Sequence, residues 1–565
     1  MSPEASRAWR VVAALVGLVF VLPVLAGIAG IVLPALGYLP ALGHHGLGGH
    51  VFSMLLDAPG FWRSVWLSAW TGLASTAVSL ALTAALLAAA FGTRGLGLVE
   101  RLLSPLLAVP HAAAALGFVF LLAPSGFLLR LLSPWATGLD APPDIALVKD
   151  PAGWSLVAAL VVKEVPFLFL MALAALPQVR ARERVAVARS LGYGRMAAFL
   201  HAAWPLVYRQ IRLPVLAVLA FAASVVDMAL ILGPTRPPPL AVRVVEWLQS
   251  ADLDGWLVGS AGALLMLAVV LGLVALWLAG EWLAGLAAAR VRSGGWRAQG
   301  DHFARAAVVG VAAVGAGAMF AGFGGLVLQS VAGFWPFPDT LPSALVFTAW
   351  TVRLPAAAGT LGDTFVIAAG ATAIALPLAV LLLEAGRRGA GAPWIVYLPL
   401  LVPQVAFLFG LAVLAIALGI TPGLLVVTLS HALFTLPYAL IALAGPWAAL
   451  DPGYERMAAS LGAGPWRRFV RVRLAMMTAP ILVAAALSVA VSVGLYLPTQ
   501  MIGGGRIETV VTEAVAAAAG GDRRLVGMLA CLQLLLPFAA FALARAVPAA
   551  LFAERRGMRP ARGPA

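Results

Sequence analysis

Charged residues are scarce in this 565-residue chain: they make up 11% of it, against about a quarter in soluble domains, while 62% is hydrophobic and the mean hydropathy is +1.00. That excludes an ordinary soluble enzyme. Cysteine is nearly absent. Cys531 stands alone in an apolar run, so this chain can build neither an intrachain disulfide nor a thiolate metal cluster. Lysine is almost as rare, two residues against 35 arginines. No Gly-x-x-x-x-Gly-Lys-Ser/Thr run occurs, and neither Lys149 nor Lys163 has the glycines that cradle phosphate, so a nucleotide site of that type is excluded.

Apolar runs are what the chain has in abundance. A helix crossing about 30 Å of hydrocarbon needs about 20 apolar residues. Windows of that kind fall at 11–33, 64–91, 102–123, 154–176, 212–234, 256–282, 306–330, 361–384, 393–418, 424–446, 478–500 and 525–549. The fold class expected is an all-α polytopic membrane protein of about twelve spans. The first window, behind Arg7 and Arg10, exceeds a signal peptide's apolar region and lacks a small-residue cleavage site, so it reads as a membrane helix. With both termini inside, the inside loops hold 26 Lys/Arg, counting Arg212 at a boundary, and the outside loops 9. The net charge of +14 is therefore a positive-inside signature, and a nucleic-acid partner is not expected.

Two inside loops share text. One reads ERVAVARSLGYGRMAAFLHAAWPLV from Glu183 and the other ERMAASLGAGPWRRFVRVRLAMMTAP from Glu455. Adding 270 carries Ala188 to Ala458, Ser190 to Ser460, Leu191 to Leu461, Gly192 to Gly462, Phe199 to Phe469 and Gly233 to Gly503 without a gap. A second match places Pro105-Leu-Leu-Ala-Val-Pro110-His111 on Pro399-Leu-Leu-Val-Pro403-Gln404, and Gly117 on Gly410 at an offset of 293. The chain thus reads as two parallel copies of a six-helix unit, residues 1–290 and 291–565, with a shared pathway between them.

The Ser-Leu-Gly core, the aromatic residue seven positions after the glycine and the downstream apolar helix resemble the EAA loop of binding-protein-dependent ABC importer permeases. The whole chain looks most like the fused permeases of the ferric-iron and thiamine type, in which one polypeptide supplies both halves of the pore. The resemblance implies a type I importer fold and a coupling helix that docks on an ATPase. Its coupling loops would comprise Glu183, Ala188, Ser190, Leu191 and Gly192 in the first copy, and Glu455, Ala458, Ser460, Leu461 and Gly462 in the second. Ala188, Leu191, Ala458 and Leu461 would form the docking surface, and the two glycines would supply the turn. Where that family has Glu six residues before the glycine, this chain has Ala186 and Arg456. Partners implied are two copies of a cytoplasmic ABC ATPase subunit, which would carry ATP-Mg, an extracytoplasmic solute-binding protein and membrane lipid. This chain would bind no cofactor and do no covalent chemistry. Its place would be a bacterial inner membrane, with thiamine or ferric iron as solute.

Span four carries Lys163-Glu164 near mid-membrane, where a charge costs roughly 2.5–3.5 kcal/mol and needs a partner. An ion pair between Lys163 and Asp227 of span five is expected. Lys163, Glu164, Asp227, Thr499 and Gln500 are the candidate pathway residues. A secondary transporter driven by an ion gradient is the rival reading, with Glu164 and Asp227 as its coupling acids. No metal site is expected; His44, His45 and His50, in a Gly-rich outside loop, come nearest to one. His111 and His431 read as hydrogen-bonded packing residues inside helices. The run from Pro237 to Trp256, with Arg243, Glu246, Asp252 and Asp254, reads as a surface on which a binding protein lands.

Overall fold

The computed structural model describes residues 3–295, 297–390 and 394–552, and these contain helices and no β-strand. The elements that matter for the site are α1 (Pro3–Ala35), α2 (Phe61–Ala90), α3 (Gly95–Leu107), α4 (His111–Leu122), α5 (Trp154–Ala175), α6 (Ala181–Ser190), α7 (Trp204–Ser224), α8 (Asp227–Leu232), α9 (Leu240–Leu248) and α10 (Asp254–Ser293). They continue with α11 (His302–Val331), α12 (Ala358–Ala385), α13 (Gln404–Ala417), α14 (Leu424–Ala449), α15 (Gly453–Ser460), α16 (Thr478–Gly494), α17 (Tyr496–Gly503), α18 (Val510–Gly520) and α19 (Arg523–Leu551). Ten helices among the described residues are long and apolar enough to cross a membrane, and two further spans arise if two sharply bent helix pairs are each counted as one. The protein is an all-α polytopic membrane protein.

Several expected spans are broken rather than straight. The window 102–123 divides at Ala108–Pro110 into α3 and α4, and the window 393–418 bends by 100° at Val402–Pro403 ahead of α13. Both breaks fall on the matched proline text. Proline removes an N–H and pushes the residue before it out of the helical region, and Val402 is extended at φ −85°, ψ 134°. The windows 212–234 and 478–500 break as well, at Val225–Val226 and at Leu495, so that α7 is followed by α8 and α16 by α17.

Packing between helices relies on small residues. In α2, Ser64, Ser68, Thr71, Gly72, Ser75, Thr76 and Ser79 recur at three- and four-residue spacing, all buried, facing α5 and α7. Thr71, Ser75 and Thr76 return their hydroxyls to carbonyls four residues earlier, which satisfies them while backbones approach closely; the buried Ser79 hydroxyl has no such partner. α1 packs on α13, and α11 packs on α4, so the first helix of each matched segment lies against the other segment's third span. The outer face of α1, with Leu15, Leu18, Val19 and Leu22, is exposed and apolar, as a lipid-facing surface is.

One helix start is built by a carboxylate. Asp150 accepts hydrogen bonds from the backbone N–H of Ala152, Trp154 and Ser155 and from the Ser155 hydroxyl, at 2.8–3.2 Å, covering the orphan donors that open α5. Partial burial pushes this carboxyl up, but the four donors outweigh it and hold it below the usual carboxylate range. A lowered folded-state value means the stabilisation is present above the unfolded value and is lost as pH falls through the folded one. Asp150→Ala is expected to cost about 1 kcal/mol at neutral pH. Melting curves in one detergent should show the gap from wild type shrinking as pH drops below the usual carboxylate range; a gap independent of pH would refute the cap.

Candidate functional site: paired loops and a central cavity

Each Ser-Leu-Gly run folds into the same sequence of turns. In the first loop, α6 ends at Ser190, Gly192 takes φ +87°, and a short helix Arg195–Ala198 passes through a π-turn, Phe199–Ala203, into α7. In the second, α15 ends at Ser460, Gly462 takes φ +80°, and a short helix Pro465–Arg468 passes through a π-turn, Phe469–Leu474, toward α16. The positive φ explains the glycine at each site, since a Cβ there is strained. Ser190 and Ser460 donate to the carbonyls of Val187 and Met457, both at 2.8 Å, and close the last helical turn. Tyr193 and Ala463 donate back to the carbonyls of Ala188 and Ala458.

Beyond that shared geometry the loops differ from the expected docking set. Ala188 is 8% exposed and packs inward, whereas the apolar residues that stand out are Val187 and Leu191 in the first loop and Met457, Leu461 and Trp466 in the second. Ala458 is half-buried, and Glu183 is exposed. Glu455 turns inward: its carboxylate accepts from Arg473 Nε at 2.5 Å and lies 3.4 Å from Arg387. Arg473 and Glu384, each 1% exposed, lie 3.9 Å apart, and Glu384 also pairs with Arg387 and Arg388. This buried cluster ties the second loop to the end of α12, and sequence reasoning missed it. Its trace was legible, since Glu384 precedes Arg387 and Arg388 at helical i,i+3 and i,i+4 spacing.

The first loop is held by another device. Gly194 N–H donates to the Arg297 carbonyl at 3.0 Å, Gln299 Nε2 donates to the Gly192 carbonyl at 3.0 Å, and Asp301 accepts from Met196 N–H at 2.6 Å. Residues 297–301, ahead of α11, are therefore laid along this turn. At the second loop a Cβ on Gly462 or Gly464 would meet nothing within 4 Å.

All four helix breaks converge on one cavity of about 180 Å³. Ala108 to Pro110, Val225 with Val226, Val402, and Leu495 line it, as do Lys163, Glu164 and Asp227. Irregular backbone at membrane depth is tolerated where it lines such a space. The expected Lys163–Asp227 ion pair does not form. Lys163 Nζ donates instead to the carbonyls of Leu106 and Leu107, at 3.0 and 3.3 Å, because the break after α3 deprives those carbonyls of their i+4 donors, leaving Leu106 only a long 3.4 Å bond from Val109 N–H, and sets them at the negative end of the helix dipole. His111 opens α4 at the cavity wall rather than packing inside a helix, with Nε2 3.8 Å from Glu164. Its counterpart in the matched text, Gln404, lines the same wall.

Thr499 lies off the cavity. Its hydroxyl is 2.9 Å from His431 Nε2, while His431 Nδ1 is 2.8 Å from Ser492 Oγ, a hydrogen-bonded bridge between α14, α16 and α17. Gln500 lines a second cavity of about 530 Å³ toward the face opposite the paired loops, and Tyr496 borders both spaces. His44, His45 and His50 do not assemble: His44 lies 3.5 Å from Asp254, and among the described residues no three His, Cys, Asp or Glu side chains converge as a metal site. The run 237–256 folds partly as α9, whose Leu240, Val242, Val244 and Val245 are buried, leaving less open surface than expected.

No family model matches the chain. A curated relative, the inner membrane ABC transporter permease protein YnjC of Escherichia coli (strain K12), is 30% identical over 454 residues, covering 80% of this chain and 82% of the relative. With a polytopic helical fold and alignment across most of both lengths, the chain belongs to the inner-membrane ABC transporter permeases.

Proposed function

We propose that this protein is the pore of a binding-protein-dependent importer and supplies both halves of it in one polypeptide, residues 1–290 and 291–565. The observation that carries this reading is the pair of loops, equal in turn geometry and 270 residues apart. They would lie in the cytoplasm with both termini, and each would dock one copy of an ATPase subunit that holds ATP-Mg. Val187 with Leu191, and Met457 with Leu461, are the apolar knobs for that contact. Closure of the ATPase pair would draw the loops together and rock the two halves, and solute delivered by an extracytoplasmic binding protein would pass by alternating access through the outer space, past Tyr496, into the central cavity. Thiamine and ferric iron are the solutes favoured by resemblance.

Co-purification with the ATPase encoded beside this chain tests the reading. Gly192→Pro with Gly462→Pro forces φ near −65° at two turns that need about +80° and deletes the N–H that Gly192 donates to Arg189 and Gly462 to Ala459. ATPase recovery is expected to fall at least about tenfold, equivalent to roughly 1.4 kcal/mol. Leu191→Asp with Leu461→Asp should do the same while leaving thermal stability unchanged, because both side chains are exposed. If wild type recovers no ATPase under any nucleotide condition, the importer reading falls and the buried acids Glu164 and Asp227 would instead point to ion-driven transport.

A further inference from the structure

We propose that the outer cavity, of about 530 Å³, is a site for a small soluble oxyanion, a phosphate or carboxylate group borne by the solute, held by Lys149 and Arg523 and favoured by the buried charge of Arg130. The cavity itself carries the assignment; only its place on the solute's route rests on the importer reading. Arg130, Lys149 and Arg523 all line this space, against one acid, Glu246. Arg130 and Lys149 come from the connection between α4 and α5, and Arg523 opens α19, so the two segments supply the charge jointly.

Among the described residues none of the three cations forms a salt bridge. Arg130 is 4% exposed and donates to the carbonyls of Ser125, Trp335, Pro336 and Asp339 at 2.6–3.2 Å, which satisfies most of its N–H groups and leaves its charge. Arg523 Nη2 donates to the hydroxyl of the same Ser125 at 3.0 Å, so two guanidinium groups gather at one residue. Their repulsion outweighs the pull of the exposed Asp339 carboxylate on Arg130. Lys149 stands exposed at φ +57°, its backbone N–H bonded to the Leu232 carbonyl at 3.0 Å, and its ammonium has no hydrogen-bond partner among the described residues. Neighbouring acids are engaged elsewhere: Asp150 and Asp522 cap the starts of α5 and α19, and Glu246 lies in the field of Arg243. Unpaired like charges around a concave space draw an anion into it, and guanidinium and ammonium donors suit phosphate and carboxylate oxygens. Gln249, Gln329 and Gln500 add uncharged amide donors to the same wall. A bare cation gains nothing there.

The test is equilibrium dialysis of radiolabelled inorganic phosphate against the full chain in phosphatidylcholine nanodiscs, without ATPase or binding protein, at about 0.15 M salt, where screening confines surface charge to about 8 Å. Saturable binding above that of empty nanodiscs is expected. Lys149→Gln and Arg523→Gln should each weaken it about threefold, and the two together about tenfold, as partly screened charges do. Glu246→Gln should strengthen it at least about twofold by removing the one acid in the wall, a gain that a folding defect does not produce. No saturable binding, or binding that ignores all three substitutions as attachment to the exposed arginines of the paired loops would, overturns the proposal. A second set of nanodiscs, with phosphatidylglycerol in place of part of the lipid, separates the two sources of an oxyanion. Unchanged phosphate affinity supports a soluble ligand, whereas displacement gives the site to a lipid headgroup and overturns the solute reading. Loss of ATPase co-purification with phosphate binding intact would sink the importer reading and leave the anion site standing.

Discussion

Glu384→Ala is expected to destabilise the protein by about 3–5 kcal/mol, a large share of the roughly 5–15 kcal/mol that holds a typical fold together. The carboxylate is 1% exposed and accepts from Arg387 Nε at 3.0 Å, Arg387 Nη2 at 2.6 Å and Arg388 Nε at 2.7 Å, with Arg473 at 3.9 Å. Remove it and three guanidinium groups share one remaining acid, Glu455. Arg473 is the worst placed, 1% exposed, with Nη1 already lacking a hydrogen-bond partner and the Trp447 ring against its guanidinium at 5.2 Å. Glu384→Gln keeps the shape and loses the charge, so it should retain little of the stability. Replacing both central ions, Glu384→Leu with Arg473→Met, should recover part of the loss, because the desolvation cost of the buried arginine goes with its partner. A melting temperature of Glu384→Ala equal to wild type would strip the cluster of any anchoring role. Since Glu455 belongs to this cluster and to α15, the same variant should free the second Ser-Leu-Gly loop from the end of α12, which limited proteolysis near Gly453 can follow.

The two loops reach the same turn by different supports, and that difference marks the boundary of what was legible in the sequence. The helices themselves were legible because runs of about 20 apolar residues leave the backbone no other way to satisfy its polar groups in lipid. The turns at Gly192 and Gly462 were legible too, since a glycine after a Ser-Leu pair at a helix end points to positive φ. Helix breaks at Pro110 and Pro403 were written in the repeated proline text but were passed over, because hydropathy windows average across a bend. Long-range partners were not legible at all. Lys163 was expected to seek the acid at a similar depth, and it found instead two carbonyls that lack their i+4 donors only because α3 stops at Leu107. The cradle of Gln299 and Asp301 around the first loop likewise depends on how a segment more than a hundred residues away in the chain returns to Gly192 and Met196. Hydropathy reports where a residue sits in depth; it says nothing about which backbone atoms the fold leaves unpaired beside it.

Gly410→Ala should destabilise the protein and Gly117→Ala leave it nearly unchanged, although the two glycines occupy matched positions in the third spans. Both helices cross the first helix of the other segment, α13 on α1 and α4 on α11, and both crossings use glycine against glycine. The crossings differ in closeness. A Cβ on Gly410 collides with the carbonyl of Gly27, and one on Gly30 comes within 2.6 Å of the Gly410 carbonyl, so the obstacle on both sides is backbone that cannot swing aside. A Cβ on Gly117 meets Gly322 at 3.4 Å, an ordinary contact. Without a hydrophobic drive between helices in lipid, close backbone packing is the main attraction, and forcing α1 and α13 apart forfeits it along their whole length. Gly410→Ala is therefore expected to cost about 1–3 kcal/mol, the range of overpacked sites, with a larger loss for Gly410→Val. Gly117→Ala should lie within about 0.5 kcal/mol of wild type, because the methyl group finds room and alanine is the better helix former. Thermal melts of the three variants in one detergent, with expression level as a second readout, decide the matter. Equal losses at both positions would mean that the crossings are equally tight in the membrane. The predicted inequality would place the closer of the two backbone approaches, at these matched glycines, between α1 and α13.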